Sequence, residues 1–115
     1  MQAKKLFFQS SHIAGRKYHD ADLVFDQLKV GCQLQLVHDI DNRHDPYAVA
    51  IIFKDEEGED YLLGYLPRGE NQQIADFLDM GWEELFDCRL SVKDSECRNP
   101  EQQLFVTIRI NKRKE

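Results

Sequence analysis

Between His38 and Asp45 the chain places five groups able to ligate a metal or move a proton, His38, Asp39, Asp41, His44 and Asp45, within eight positions. A calcium loop needs oxygen ligands at alternate positions and a glycine at the sixth. Counted from Asp39, the fifth residue is Arg43 and the sixth is His44, so that spacing fails. A metal-dependent hydrolase or nuclease site would also need acids from other elements, and it ranks below a binding reading. A second cluster, Arg16-Lys17-Tyr18-His19, sets cations beside an aromatic ring, while Tyr65 and Tyr47 add rings and Arg43 and Arg68 add cations. Such sets grip single-stranded nucleic acid: each ring stacked on a base is worth roughly 1–3 kcal/mol, and the cations hold phosphates. Tyr18 and Tyr65 are the better platforms, because tyrosines such as Tyr47 and Tyr61 at strand ends ordinarily pack their rings on the core. Asp45 can accept a hydrogen bond from a terminal ribose hydroxyl or a base edge. Its structural alternative is turn formation before Pro46, with Asn42 making an Asx-turn in the same loop.

The surrounding composition narrows the chemistry. A 115-residue chain with 42% hydrophobic and 31% charged residues is expected to be one folded domain, 1–115, with its core within about 6–110 and a basic tail at 111–115. The six glycines never form a phosphate-binding Gly-Lys-Ser/Thr turn, and no nucleophile elbow, His-Glu-x-x-His pair or dinucleotide fingerprint is present. Cys32, Cys88 and Cys97 form neither a disulfide framework nor a zinc ligand pair and are expected as reduced thiols. The expectation is therefore a binding module that is not an enzyme and uses no cofactor. No apolar run is long enough to span a bilayer, so a cytoplasmic protein without membrane contact is expected. The net charge of −6 divides into +4 over residues 1–19, +4 over 109–114 and −13 between them, with Glu115 adding −1. An acidic body opposes coating of duplex nucleic acid but leaves room for a small local site. It equally suits a protein-interaction module that binds no nucleic acid, the main alternative.

The elements that must position these groups are short. Lys5–Ser10 reads as a strand, Ser11–His19 as a loop and Asp22–Lys29 as a helical turn. Alternation predicts strands at Cys32–His38, Tyr47–Phe53, Tyr61–Leu66, Asp87–Lys93 and Leu104–Ile110. The acidic stretch Lys54–Asp60 fits an exposed hairpin loop. Residues 71–80 place Ile74, Phe77 and Leu78 on one helical face, with Asn71 as N-cap and Gly81 at the C-terminal cap. The sum is a mainly β chain, a small OB-like or SH3-like barrel of about six strands with one or two helices.

Five signatures fall in order along these elements: Ile13-x-Gly15-x-x-Tyr18, Leu28-x-x-Gly31-x-x-Leu34-x-Leu36, Asn42-x-x-Asp45-Pro46-x-Ala48-Val49, Gly64-Tyr65-Leu66-Pro67 and Asn71-x-x-Ile74-Ala75. Across Leu6 to Ile110 the chain resembles the HIRAN domain family, in the form of its small free-standing members. The resemblance implies a modified OB-like barrel that binds single-stranded DNA and, in fork-remodelling members, captures a free 3′ end during DNA repair or replication-fork processing. It implies a DNA-remodelling ATPase as the class of protein partner, and RNA is not distinguished from DNA. Carried over by position, the cation–aromatic pair falls on Lys17 and Tyr18, the aromatic–Asp pair on His44 and Asp45, and the fourth motif contributes Tyr65. Arg68, Arg16 and Arg43 complete the expected nucleic-acid-binding set. Lys17 stands where end-binding members carry arginine, and it offers a point charge without the bidentate fork. His44 replaces a larger aromatic ring with a smaller, titratable one.

Overall fold

The computed structural model describes residues 4–113, so Lys114 and Glu115 of the expected basic tail lie outside it. Six strands, β1 (Leu6–His12), β2 (Gln33–His38), β3 (Val49–Lys54), β4 (Asp60–Tyr65), β5 (Phe86–Lys93) and β6 (Leu104–Ile110), form one antiparallel sheet in the order β1-β6-β5-β2-β3-β4. Two helices, α1 (Ala21–Val24) and α2 (Gln72–Asp79), accompany them. No helix among the described residues is long and apolar enough to cross a membrane.

Alternation explains the strands. In β2, Leu34 and Leu36 are buried while Gln33, Gln35 and Val37 face out, and in β6 Leu104, Val106 and Ile108 go inward. These meet Ile51, Leu63 and Leu90 in one apolar cluster, each fully buried side chain contributing roughly 1.5–3 kcal/mol. Helix α2 buries Ile74 completely and leans Phe77 and Leu78 on the same core, with Phe77 edge-on to Phe86 at 5.9 Å. Gly81 takes φ 87° and its N–H donates to the Leu78 carbonyl, ending the helix as expected. The cap at the other end differs: Asn71 makes no side-chain cap bond and turns its amide to Asp45 instead.

Two further expectations change. The segment 11–19 is not simply a loop, because β1 runs through His12 and Arg16–Tyr18 forms a 3-10 turn. The sheet is also open rather than a closed barrel. Among the described residues its outer strands are linked only by a bridge just beyond β1, where Ala14 and Tyr65 exchange N–H···O bonds of 2.8 and 2.9 Å. Gly64, at φ 156°, permits this approach, since a Cβ there would lie 2.5 Å from the Ala14 carbonyl oxygen and 2.6 Å from Ile13 Cγ2.

The three cysteines are free thiols. Burial pushes the Cys88 thiol up to about 12, which keeps it protonated and unreactive at neutral pH.

Candidate nucleic-acid interface

Three connecting segments converge around Tyr65: the turn 15–19, the loop 39–47 and the corner 66–71. The turn is built by Gly15, whose φ of 71° reverses the chain after β1. Its N–H is gripped by both carboxylate oxygens of Glu101, at 2.9 and 3.0 Å. Asp20 N–H then donates to Leu62 O at 2.8 Å, laying the turn along β4. His19 meets the Tyr65 ring edge-on at 5.5 Å.

Lys17 and Tyr18 are both exposed, Tyr18 at 72%, and Lys17 Nζ sits 5.0 Å from the Tyr18 ring centroid. Tyr18 takes no part in the apolar core, and apart from the ammonium of Lys17 over one face its ring is turned to solvent. Arg16 behaves otherwise. It is 4% exposed, its guanidinium pairs with Asp22, and its Cζ lies 5.3 Å from the Phe25 centroid. A cation placed so holds the turn against α1 and does not reach solvent.

In the second segment, Asn42 Oδ1 accepts from the N–H groups of His44 (2.8 Å) and Asp45 (3.0 Å), forming the expected Asx-type turn. Asp45 is engaged on both oxygens: Oδ1 accepts from Tyr47 N–H at 2.9 Å and Oδ2 from Asn71 Nδ2 at 2.8 Å. Each oxygen keeps a second lone pair, so an incoming hydroxyl would add to this network rather than displace it. His44 and Arg43 are exposed on the loop, and Arg68 crosses from the corner to donate to the His44 carbonyl. Tyr65 is half-buried and its hydroxyl donates to Asp39 Oδ2 at 2.8 Å. Burial and the adjacent Asp39 carboxylate hold that phenol above its ordinary range, so it remains a neutral donor. Tyr47 and Tyr61 lean on the core, as expected of strand-end rings.

The cluster from His38 to Asp45 is dispersed by these bonds. His38 is held elsewhere, with Nδ1 2.5 Å from Asp79 Oδ1 and Nε2 2.7 Å from the Pro46 carbonyl, while Asp39 serves Tyr65 and Asp45 serves Tyr47 N–H and the Asn71 amide. Among the described residues no group of three His, Cys, Asp or Glu side chains stands ready to hold a metal ion. The structure therefore sets the turn of Lys17 and Tyr18 beside Tyr65 through His19, sets the loop of Arg43, His44 and Asp45 beside it through Asp39, ties Arg68 to His44 and sends Arg16 inward. Sequence reasoning missed Glu101 as the clamp on Gly15, Asn71 as the brace of Asp45 and Asp39 as the partner of Tyr65. Each is a long-range pairing with no local signal.

The likenesses of the chain agree with this architecture. A protein of known structure from Lactobacillus plantarum superposes with a TM-score of 0.73, covering 96% of this chain and 100% of that one, at 21% identity, and so shares the fold. A Fanconi-associated nuclease 1 homolog from Oryza sativa subsp. japonica is 34% identical over 92 residues, 80% of this chain. The aligned part spans only 8% of that longer relative. The HIRAN domain family matches residues 6–108. The chain belongs to the HIRAN domain family.

Proposed function

We propose that this domain binds single-stranded DNA at the rim around Tyr65, including free 3′ ends, as a non-catalytic module in DNA repair or replication-fork processing. The observation that carries the reading is the Lys17–Tyr18 pair: a 72% exposed ring beside an exposed cation, on a turn anchored at Gly15 and along β4. A platform held rigid before binding loses little entropy when a base stacks on it. Membership of a DNA-handling family and the similarity to part of a nuclease homolog support nucleic acid as the ligand. In this reading Tyr18 stacks on a base, with Tyr65 beneath the adjacent sugar or base. Lys17 and Arg68 hold phosphates, Arg43 and His44 flank the path, and Asp45 accepts the terminal 3′ hydroxyl. Arg16 supports the turn.

The acids Asp39, Asp41 and Asp45 on the neighbouring loop restrict the path to few phosphates. With two or so neutralised, log K falls against log salt with a slope of roughly −1.5 to −2. Fluorescence anisotropy with short DNA strands ending in a 3′ hydroxyl or a 3′ phosphate, at two salt concentrations, tests the reading. Tighter binding of the hydroxyl end supports end capture through Asp45. Equal binding leaves a strand groove without end selection, and no binding of either rejects nucleic acid as the ligand.

A further inference from the structure

The two edges of β2 are satisfied unequally. Asp39 N–H donates to Ala48 O at 2.8 Å in the register that pairs His38 with Val49, so Val37 and Gln35 likewise direct their backbone groups at β3. Those of Leu34, Leu36 and His38 point the other way, toward β5. Pairing on that side begins well: Leu90 N–H donates to Cys32 O at 3.0 Å, and Leu34 lies opposite Cys88. The next pair in this register would join Leu36 to Phe86, yet the ladder stops at Leu34–Cys88. Phe86 also directs its backbone into the gap, because Leu85 O accepts from Asn111 N–H on the β6 side, in the register that sets Phe86 opposite Ile110.

An open cleft of about 690 Å3 lies at this break. Leu36, Leu78 and Phe86 supply apolar lining, and Asp79, Glu83 and Glu84 supply carboxylates. Its lysine, Lys54, is already paired with Asp60 at 2.7 Å and Asp79 with His38 at 2.5 Å, whereas Glu83 and Glu84 are exposed and make no ion pair within the described residues. Unpaired strand backbone beside an apolar cleft of negative charge fits an extended chain of positive charge.

We propose that this cleft takes an extended segment of a partner protein, apolar residues alternating with lysine or arginine, added as a strand along the Leu36–His38 edge of β2. Main-chain bonds to Leu36 and His38 supply the generic affinity. Apolar side chains fill the space beside Leu78 and Phe86, and the alternate basic ones meet Glu83 and Glu84. Glu83 and Glu84 also border the adjoining cleft, where Lys5, Lys112 and Arg113 stand with Trp82, and these cations keep a basic segment at the β2 end. The docking surface is independent of the nucleic-acid reading, since it shares no residue with the rim around Tyr65.

The test titrates the full chain with a short peptide of alternating lysine and valine and with its glutamate–valine counterpart, following backbone amides by NMR and hydrogen exchange. The expected result is saturable binding of the lysine peptide, at least about tenfold tighter than the glutamate peptide. The Leu36, His38 and Phe86 amides shift and gain exchange protection. Because Glu83 and Glu84 are exposed, the Glu83→Lys, Glu84→Lys double variant keeps the fold and reverses the preference. Absence of saturable binding, equal affinity for the two peptides, or shifts confined to residues outside the cleft would overturn the proposal.

Discussion

Arg16 and Lys17 are consecutive cations, each set over an aromatic ring, at 5.3 Å from Phe25 and 5.0 Å from Tyr18. One is buried and paired with Asp22; the other is exposed beside an exposed ring. Side-chain chemistry hardly distinguishes them. Their difference comes from one step along a 3-10 turn, which rotates the side-chain direction by about 120° and sends one cation into the body and the next to solvent. The inward pair holds the turn in place, and the outward pair is what the turn presents. A site of this kind is made by its support as much as by its contact residues.

Breaking the support where both sides depend on it should have the largest effect. Gly64→Ala places a Cβ against the Ala14 carbonyl and Ile13 at a φ that favours glycine. A loss of about 3 kcal/mol in denaturant unfolding is expected, together with loss of DNA binding. Arg16→Ala comes next. Breaking a fully buried pair costs more, but Asp22 is 74% exposed and regains water, so about 2 kcal/mol of stability is expected to go. Binding by the folded fraction should weaken as the turn loosens. The opposite variant, Tyr18→Ala, should leave stability within about 0.5 kcal/mol while weakening DNA binding by roughly 1–3 kcal/mol. If Tyr18→Ala unfolded the protein and Arg16→Ala did not, the assignment of the two faces would be reversed.

The smallest expected effect lies farther from the turn, at His38. Burial alone would lower its affinity for a proton, but the Asp79 carboxylate, the Pro46 carbonyl and nearby Asp39 outweigh burial and raise the pKa above 6.5. A raised folded-state value means that protonated His38 stabilises the fold. That contribution is complete below the unfolded-state value and is lost as pH rises through the folded-state value. Unfolding free energy measured from about pH 6 to pH 8 should therefore decline in the wild type and decline less in Asp79→Asn. No difference between the two slopes would remove the pair from the account.

Local pattern made much of the fold legible. Alternation at Leu34 and Leu36, the apolar run ending β3 and the 3.6-residue spacing of Ile74, Phe77 and Leu78 each mark their element without knowledge of the partner. Sheet closure was not legible, because it turns on whether the chain beyond β1 meets β4 along a ladder or at one bridge, and no local spacing encodes that contact. The same limit governs the rim. The Asx-turn of Asn42 could be read, since donor and acceptor lie within three residues. The clamp of Glu101 on Gly15 joins residues 86 apart, and the inward turn of Arg16 depends on a pocket assembled from α1 and Phe25. Composition suggested a cationic cluster, and packing divided it into support and surface.

The most direct measurement is a DNA-binding titration of the wild type, Lys17→Ala and Tyr18→Ala by fluorescence anisotropy at low salt, with thermal unfolding of each variant alongside. Unchanged unfolding and clearly weakened binding are expected for both variants, with a shallower salt slope for Lys17→Ala alone. Wild-type binding that survives both substitutions unchanged would contradict this expectation.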